Sequence, residues 1–178
     1  MVAEAYGAAH VVLEYGSGGS TALAYDLGKT VFSVESDPDW LAGMARWFTG
    51  QPGADRVRLH HADIGPTGDW GKPRDLRGYR RFPGYALSVW ERADFQHPDV
   101  VLIDGRFRPS CLLATAFLAR RPVRVLFDDY LDRARYHAVE ELFPRRALHG
   151  RMAEFHIEPT AIPAERLNWI IGWFLQPQ

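Results

Sequence analysis

Cysteine is almost missing from this chain of 178 residues: Cys111 stands alone. An internal disulfide is excluded, a reducing compartment fits, and Cys111 reads as a small buried hydrophobe. Excess charge of one sign is missing too, with a net charge of −1 at pH 7. A nucleic-acid or acidic-membrane footprint would need a large basic surplus, so neither partner is expected. Lysine is scarce: apart from Lys29 and Lys72, the cations are arginine. No apolar run is long enough to span a bilayer. Residues 1–10 lack the basic start of a secretory leader and include Glu4. A cytoplasmic location follows as the expectation. Repeats, low-complexity tracts and linkers are absent, so residues 1–178 read as one domain. With 47% hydrophobic residues, the chain has the material for a sizeable core.

The most informative stretch is 11–21, Val-Val-Leu-Glu-Tyr-Gly-Ser-Gly-Gly-Ser-Thr. Residues 11–13 suit a strand covered on both faces. Gly16, Gly18 and Gly19 remove side chains where the backbone bends and a ligand can approach. Ser20 or Thr21 is placed to cap a helix over 22–27, whose first amides suit an anionic or electron-rich ligand. Thr21 stands where the dinucleotide fingerprint needs a third glycine or alanine, which disfavours a nicotinamide dehydrogenase. A tight turn with no ligand is the plain alternative.

Further strands are expected over 30–35, 57–62, 100–104, 123–127 and 153–157, with a last one over 168–175 containing Gly172. Helices are expected at the end of 1–9, over 38–48 after the Ser36-Asp37-Pro38 start signal, and over 85–93, 110–118 and 135–143. The aromatics of 38–48 (Trp40, Trp47, Phe48) read as core. Residues 64–83, rich in glycine, proline and arginine, break the pattern. They read either as a solvated loop or as one that clamps an anionic substrate. The fold class is therefore α/β: an open, mostly parallel seven-stranded sheet, helices on both faces, and an antiparallel C-terminal hairpin made by the last two strands.

Ligands of such sheets bind beyond the carboxyl ends of the strands. Acids stand there on strand after strand: Glu14, Glu35, Asp63, Asp104, and Asp128 with Asp129. Glu35 lies about 20 residues past the first glycine, the offset of an acid that accepts both ribose hydroxyls. A row of acids on one rim repels itself unless donors or cations offset it, and this cost argues for a site. A rim of helix-capping acids is the alternative.

Glu14-Tyr-Gly-Ser-Gly-Gly resembles the first motif of the class I S-adenosylmethionine (SAM)-dependent methyltransferases. Val34-Glu35-Ser36-Asp37 resembles the second, His61-Ala-Asp63 the adenine-binding step, and Val101-Leu-Ile-Asp104-Gly the fourth. The resemblance implies a methyltransferase of EC class 2.1.1. It further implies SAM held by Glu14, Gly16, Ser17, Gly18, Gly19, Glu35, Ser36, Asp63 and Asp104. Ile103-Asp104-Gly105 with Leu126-Phe-Asp128-Asp129-Tyr130 is similar to the metal-dependent O-methyltransferases of the macrocin type. That likeness implies Mg²⁺ on Asp104, Asp128 and Asp129, a ligand set whose hard oxygens suit such an ion. Asp104, Asp128 and Arg106 are the catalytic candidates, and O-methylation of a small-molecule acceptor is the expected reaction; a homodimer is allowed. Arg106 and Arg108 depart from that pattern, in which further polar or acidic residues usually follow, and an arginine beside a cation weakens its binding. It can instead pair with Asp128 or Asp129 or hold an anionic acceptor. A catalytically silent binding or regulatory module is the alternative function.

Overall fold

The computed structural model describes residues 1–177. Strand β1 (Val11–Tyr15) lies in the interior of a seven-stranded sheet. Around it stand β2 (Thr30–Glu35), β3 (Val57–His61), β4 (Val100–Ile103), β5 (Val123–Phe127), β6 (Ala147–His149) and β7 (Met152–Ile157). Their spatial order is β3-β2-β1-β4-β5-β7-β6. The first five run parallel, and β7 pairs antiparallel with both β5 and β6. The order reverses between β1 and β4, which opens a crevice at their carboxyl ends.

The helices are α1 (Val2–Ala8), α2 (Gly19–Asp26), α3 (Pro38–Phe48), α4 (Pro83–Leu87), α5 (Arg108–Leu118) and α6 (Leu167–Phe174). Because side chains alternate along a strand, neighbouring residues of β1 enter different cores. Val12 packs with Tyr6, Ala24, Val31 and Val100 on one face. Leu13 and Tyr15 join Val101, Phe127 and the α4, α5 and α6 side chains on the other. Both faces are thus covered, and the parallel strands read as continuous apolar runs.

The C-terminal expectation needs correction. The expected strand over 168–175 is instead α6 with its C-cap Leu175, and the hairpin partner of β7 is the three-residue β6. Ile170 and Trp173, three apart, are buried while Leu167 and Ile171 are exposed, which is helical spacing. The Ser110 hydroxyl on α5 donates to the Trp173 carbonyl and fixes the helix against its neighbour. Residues 134–141 form a 3₁₀ helix where an α-helix is expected, and only 83–87 of the segment before Ala93 is α-helical. The cap of α2 is Gly18 rather than Ser20 or Thr21. On α3, Trp40 and Trp47 are 55% and 49% exposed, so only Phe48 of those three is core.

Residues 64–83 are folded. They contain short 3₁₀ turns at Asp69–Gly71 and Leu76–Arg81 and an isolated bridge between Thr67 and Pro73. Among the described residues no helix is long and apolar enough to cross a membrane.

Candidate functional site

A cavity of about 830 Å³ opens at the carboxyl ends of β1, β2, β4 and β5. Its floor is the turn after β1. Gly16 has φ +108, and a Cβ there would lie 2.8 Å from Gly105 N, so the turns after β1 and β4 touch backbone to backbone. Gly18 and Gly19 line the cavity, yet a Cβ on either would meet no atom within 4 Å. Packing within the protein does not demand glycine at 18 and 19. Their missing side chains leave room beside the first amides of α2, as a ligand with a polar end would require.

Glu14 holds this turn from behind. Its side chain is fully buried and does not line the cavity. The Tyr6 hydroxyl donates to Oε1 at 2.6 Å, and the Thr21 and Ser33 hydroxyls donate to Oε2. Since Thr21 gives its proton to Glu14, its oxygen accepts from the Gly18 amide at 3.0 Å. Glu14 therefore acts on the turn through Thr21. Burial pushes its carboxyl pKa up, and the Thr21, Tyr6, Ser20 and Ser33 hydroxyls oppose that shift.

Glu35 does line the cavity. Oε1 accepts from the Ser36 and Asp37 amides at 2.7 and 2.9 Å, which fixes the carboxylate, while Oε2 accepts a longer bond from Ser17 N at 3.4 Å. An oriented acid with one lightly used oxygen suits a vicinal diol. Ser36 is buried and donates through Oγ to the Gly71 carbonyl, drawing the turn 67–73 over the acid. That turn and α3 bring Trp70 and Trp40 into the wall, and Trp40 Nε1 donates to the Ser17 carbonyl at 2.8 Å. Asp63 is not part of the wall; it accepts from Gly65 N and pairs with Arg81 at 2.7 Å. The expected adenine acid thus faces an arginine on the next segment.

The far end of the cavity carries interleaved acids and arginines. Arg108, the first residue of α5, is 4% exposed. Its Nε, Nη1 and Nη2 donate to the carbonyls of Gly105, Asp128 and Asp104. Nη2 also lies 3.2 Å from Asp104 Oδ1 and 3.3 Å from Asp129 Oδ2. A cation at a helix N-terminus costs about 0.3–1 kcal/mol. Hydrogen bonds from a charged donor contribute about 1.5–3 kcal/mol each, so the clamp across β4 and β5 wins. Phe107 and Asp129 on either side have φ +50 and +53, backbone that non-glycine residues adopt only when the surroundings hold them.

Asp128 is gripped by Arg151, Nε to Oδ1 at 2.9 Å and Nη2 to Oδ2 at 2.5 Å. Burial pushes the Asp128 pKa up, but the Arg151 bonds outweigh it and leave the carboxyl below its ordinary range. Asp129 pairs with Arg108, Arg133 and Arg151. Asp104 lines the cavity, and its pKa is raised, first by burial and then by Asp128 and Asp129, against the opposing pull of Arg108.

The Mg²⁺ expectation on Asp104, Asp128 and Asp129 finds no support in this geometry. Among the described residues no group of three or more His, Cys, Asp or Glu side chains is arranged for a metal ion. Guanidinium groups already neutralise these three acids and would repel a second cation.

Of the residues expected from sequence, Gly16, Ser17, Gly18, Gly19, Glu35, Asp104, Arg106 and Asp129 meet at one cavity. Glu14, Ser36 and Asp128 support it from behind, and Asp63 lies apart. Trp40, Trp70, Lys72, Tyr85, Arg133 and Arg151 were not anticipated. A cluster of arginines opposite a row of acids was the available signal for Arg133 and Arg151. Trp70, in an irregular segment, gave none.

The chain is similar over 99% of its length to the crystal structure of a methyltransferase-like protein from Silicibacter pomeroyi. The two are 49% identical, the match covers 92% of that chain, and the TM-score is 0.94. It shares its fold with the crystal structure of a predicted O-methyltransferase from Agrobacterium tumefaciens (13% identity, TM-score 0.52), over 89% of this chain and 81% of that one. No family model matches the sequence, and no curated protein does.

Proposed function

Because the chain belongs to the methyltransferase-like family of that Silicibacter pomeroyi protein, we propose that it is a SAM-dependent methyltransferase. Its acceptor is a hydroxyl of a small molecule, and the whole chain acts as one catalytic domain. The observation that carries the reading is the single cavity joining the Gly16–Gly19 turn, the fixed Glu35 carboxylate and Asp104. The empty space beside Gly18 and Gly19 fits the amino-acid end of the cofactor, and Glu35 Oε2 fits its ribose diol. When bound, SAM supplies an electrophilic methyl group on a sulfonium centre.

The chain's own part is to bind, align and move one proton. Asp104, with a carboxyl pKa raised by burial, takes the acceptor proton as the new C–O bond forms. Arg108 keeps that carboxylate in place from inside the fold. Arg106, in the cavity wall, presents positive charge to the acceptor oxygen. Asp128, turned to Arg151, is a positioning residue for the same rim.

Calorimetric titration with S-adenosylhomocysteine tests the reading. Saturable binding is expected, abolished by Gly18→Arg, which fills the cradle, and weakened about tenfold or more by Glu35→Ala. An absence of heat, with an unchanged melting temperature, would overturn it. Binding without methyl transfer to any acceptor of a broad panel would favour the silent binding module instead.

A further inference from the structure

Trp70 is 85% exposed, the highest value among the large apolar side chains of the described residues. It also has φ +61, a left-handed backbone that costs a residue with a β-carbon free energy. An indole left in water on strained backbone is doubly unfavourable in the free protein, and such a combination marks a residue placed for a ligand.

The turn that carries it is well held. Gly68 N donates to the Lys72 carbonyl, Gly71 N to the Gly68 carbonyl, and Thr67 bridges Pro73 at the base. Arg74 Nε donates back to the Thr67 carbonyl at 2.7 Å. The Ser36–Gly71 bond docks the turn on the end of β2. The fit is tight: a Cβ on Gly71 would lie 2.7 Å from Ser36 Oγ and 3.1 Å from Glu35 Oε1. Trp70 is therefore fixed one residue from the point where the chain touches the acid proposed for the ribose. In a nucleoside the base is joined directly to that sugar.

We infer that the Trp70 indole is the face on which the purine base of the cofactor stacks. The inference rests on the reading of the cavity as a SAM site and adds a residue and a ligand moiety to it. Stacking suits the position, because a π-face needs no directional partner and the turn that carries the indole is already held. Asp63 is committed to Arg81, so the base end of the site relies on surface contact more than on that acid.

The test is titration of wild type, Trp70→Ala and Trp70→Phe with S-adenosylhomocysteine and, separately, with adenosine, followed by calorimetry and tryptophan fluorescence. Trp70→Ala is expected to weaken S-adenosylhomocysteine about tenfold or more and adenosine by a similar factor. Trp70→Phe retains most of the affinity and loses the part of the fluorescence change that comes from Trp70. Melting temperatures stay within a degree or so, since the side chain packs little. Wild-type affinity in Trp70→Ala overturns the inference and leaves the cavity reading standing. Failure of wild type itself to bind S-adenosylhomocysteine overturns both.

Discussion

Gly16 and Gly105 meet backbone to backbone on the floor of the crevice between β1 and β4. A Cβ on Gly16 would come within 2.8 Å of Gly105 N, and one on Gly105 within 2.9 Å of Gly16 N and 2.0 Å of the Tyr85 hydroxyl. Gly105→Ala is expected to lower stability by about 1–3 kcal/mol through overpacking. It should also weaken S-adenosylhomocysteine binding, because the glycine turn must shift. Chemical denaturation and calorimetry together check both; an unchanged unfolding midpoint would contradict the tight approach.

Glu14 and Glu35 separate two kinds of loss. Glu14→Ala leaves the Tyr6, Thr21 and Ser33 hydroxyls without their buried acceptor. A stability loss of about 2–4 kcal/mol is expected, read as a fall in melting temperature. Glu35→Ala is expected to change stability by less than about 1 kcal/mol while reducing cofactor affinity, because its side chain lines the cavity. The reverse pattern would place the ligand acid at position 14.

Millimolar Mg²⁺ is expected to leave both the melting temperature and S-adenosylhomocysteine affinity unchanged, since Arg108, Arg133 and Arg151 already neutralise the three aspartates. A rise of several degrees would show that a cation displaces them. In a double-mutant cycle, Arg151→Ala and Asp128→Asn should be non-additive, because each removes the same bidentate pair.

His60 supplies a pH dependence. Its Nε2 lies 2.7 Å from Ser88 Oγ, which gives its own proton to the Gly84 carbonyl, so His60 Nε2 is the donor of this pair. Burial, aided by Arg92 and His61, lowers its pKa from 6.5 to about 4. Between those values the unfolded chain binds the proton and the folded protein does not, so stability falls as pH drops through the window. Denaturation midpoints from pH 7 to 4 should fall more steeply for wild type than for His60→Gln. Parallel curves would show that His60 does not contribute.

The parallel half of the sheet was legible because its strands are short apolar runs that end in acids and glycines. Glu35 and the glycine turn were legible for the same reason: their spacing is set by one βαβ unit. Residues 168–175 misled because Asn-Trp-Ile-Ile-Gly-Trp-Phe-Leu has the apolar density of a buried strand. Only its packing on α5 through Ile170 and Trp173 reveals the helical period. Three-residue β6 is too short to carry a period. The wall beyond Glu35 was hidden because Trp70 gains its place from a hydrogen bond between Ser36 and Gly71, 35 positions apart. The arginines were visible as residues, but which acid each one meets depends on the antiparallel return of β7, which brings Arg151 beside Asp128.

That return has a consequence for the order in which the protein is made. Strand β7 lies between β5 and β6, and Tyr130 N and Leu131 N both donate to the Arg151 carbonyl. A growing chain presents β1 to β5 and the glycine turn before β7 has been made. Until β7 emerges, β5 is an open edge and Asp128 has no Arg151. On the growing chain the glycine turn and Glu35 are therefore present before the rim around Asp128, which is completed only when β7 pairs with β5.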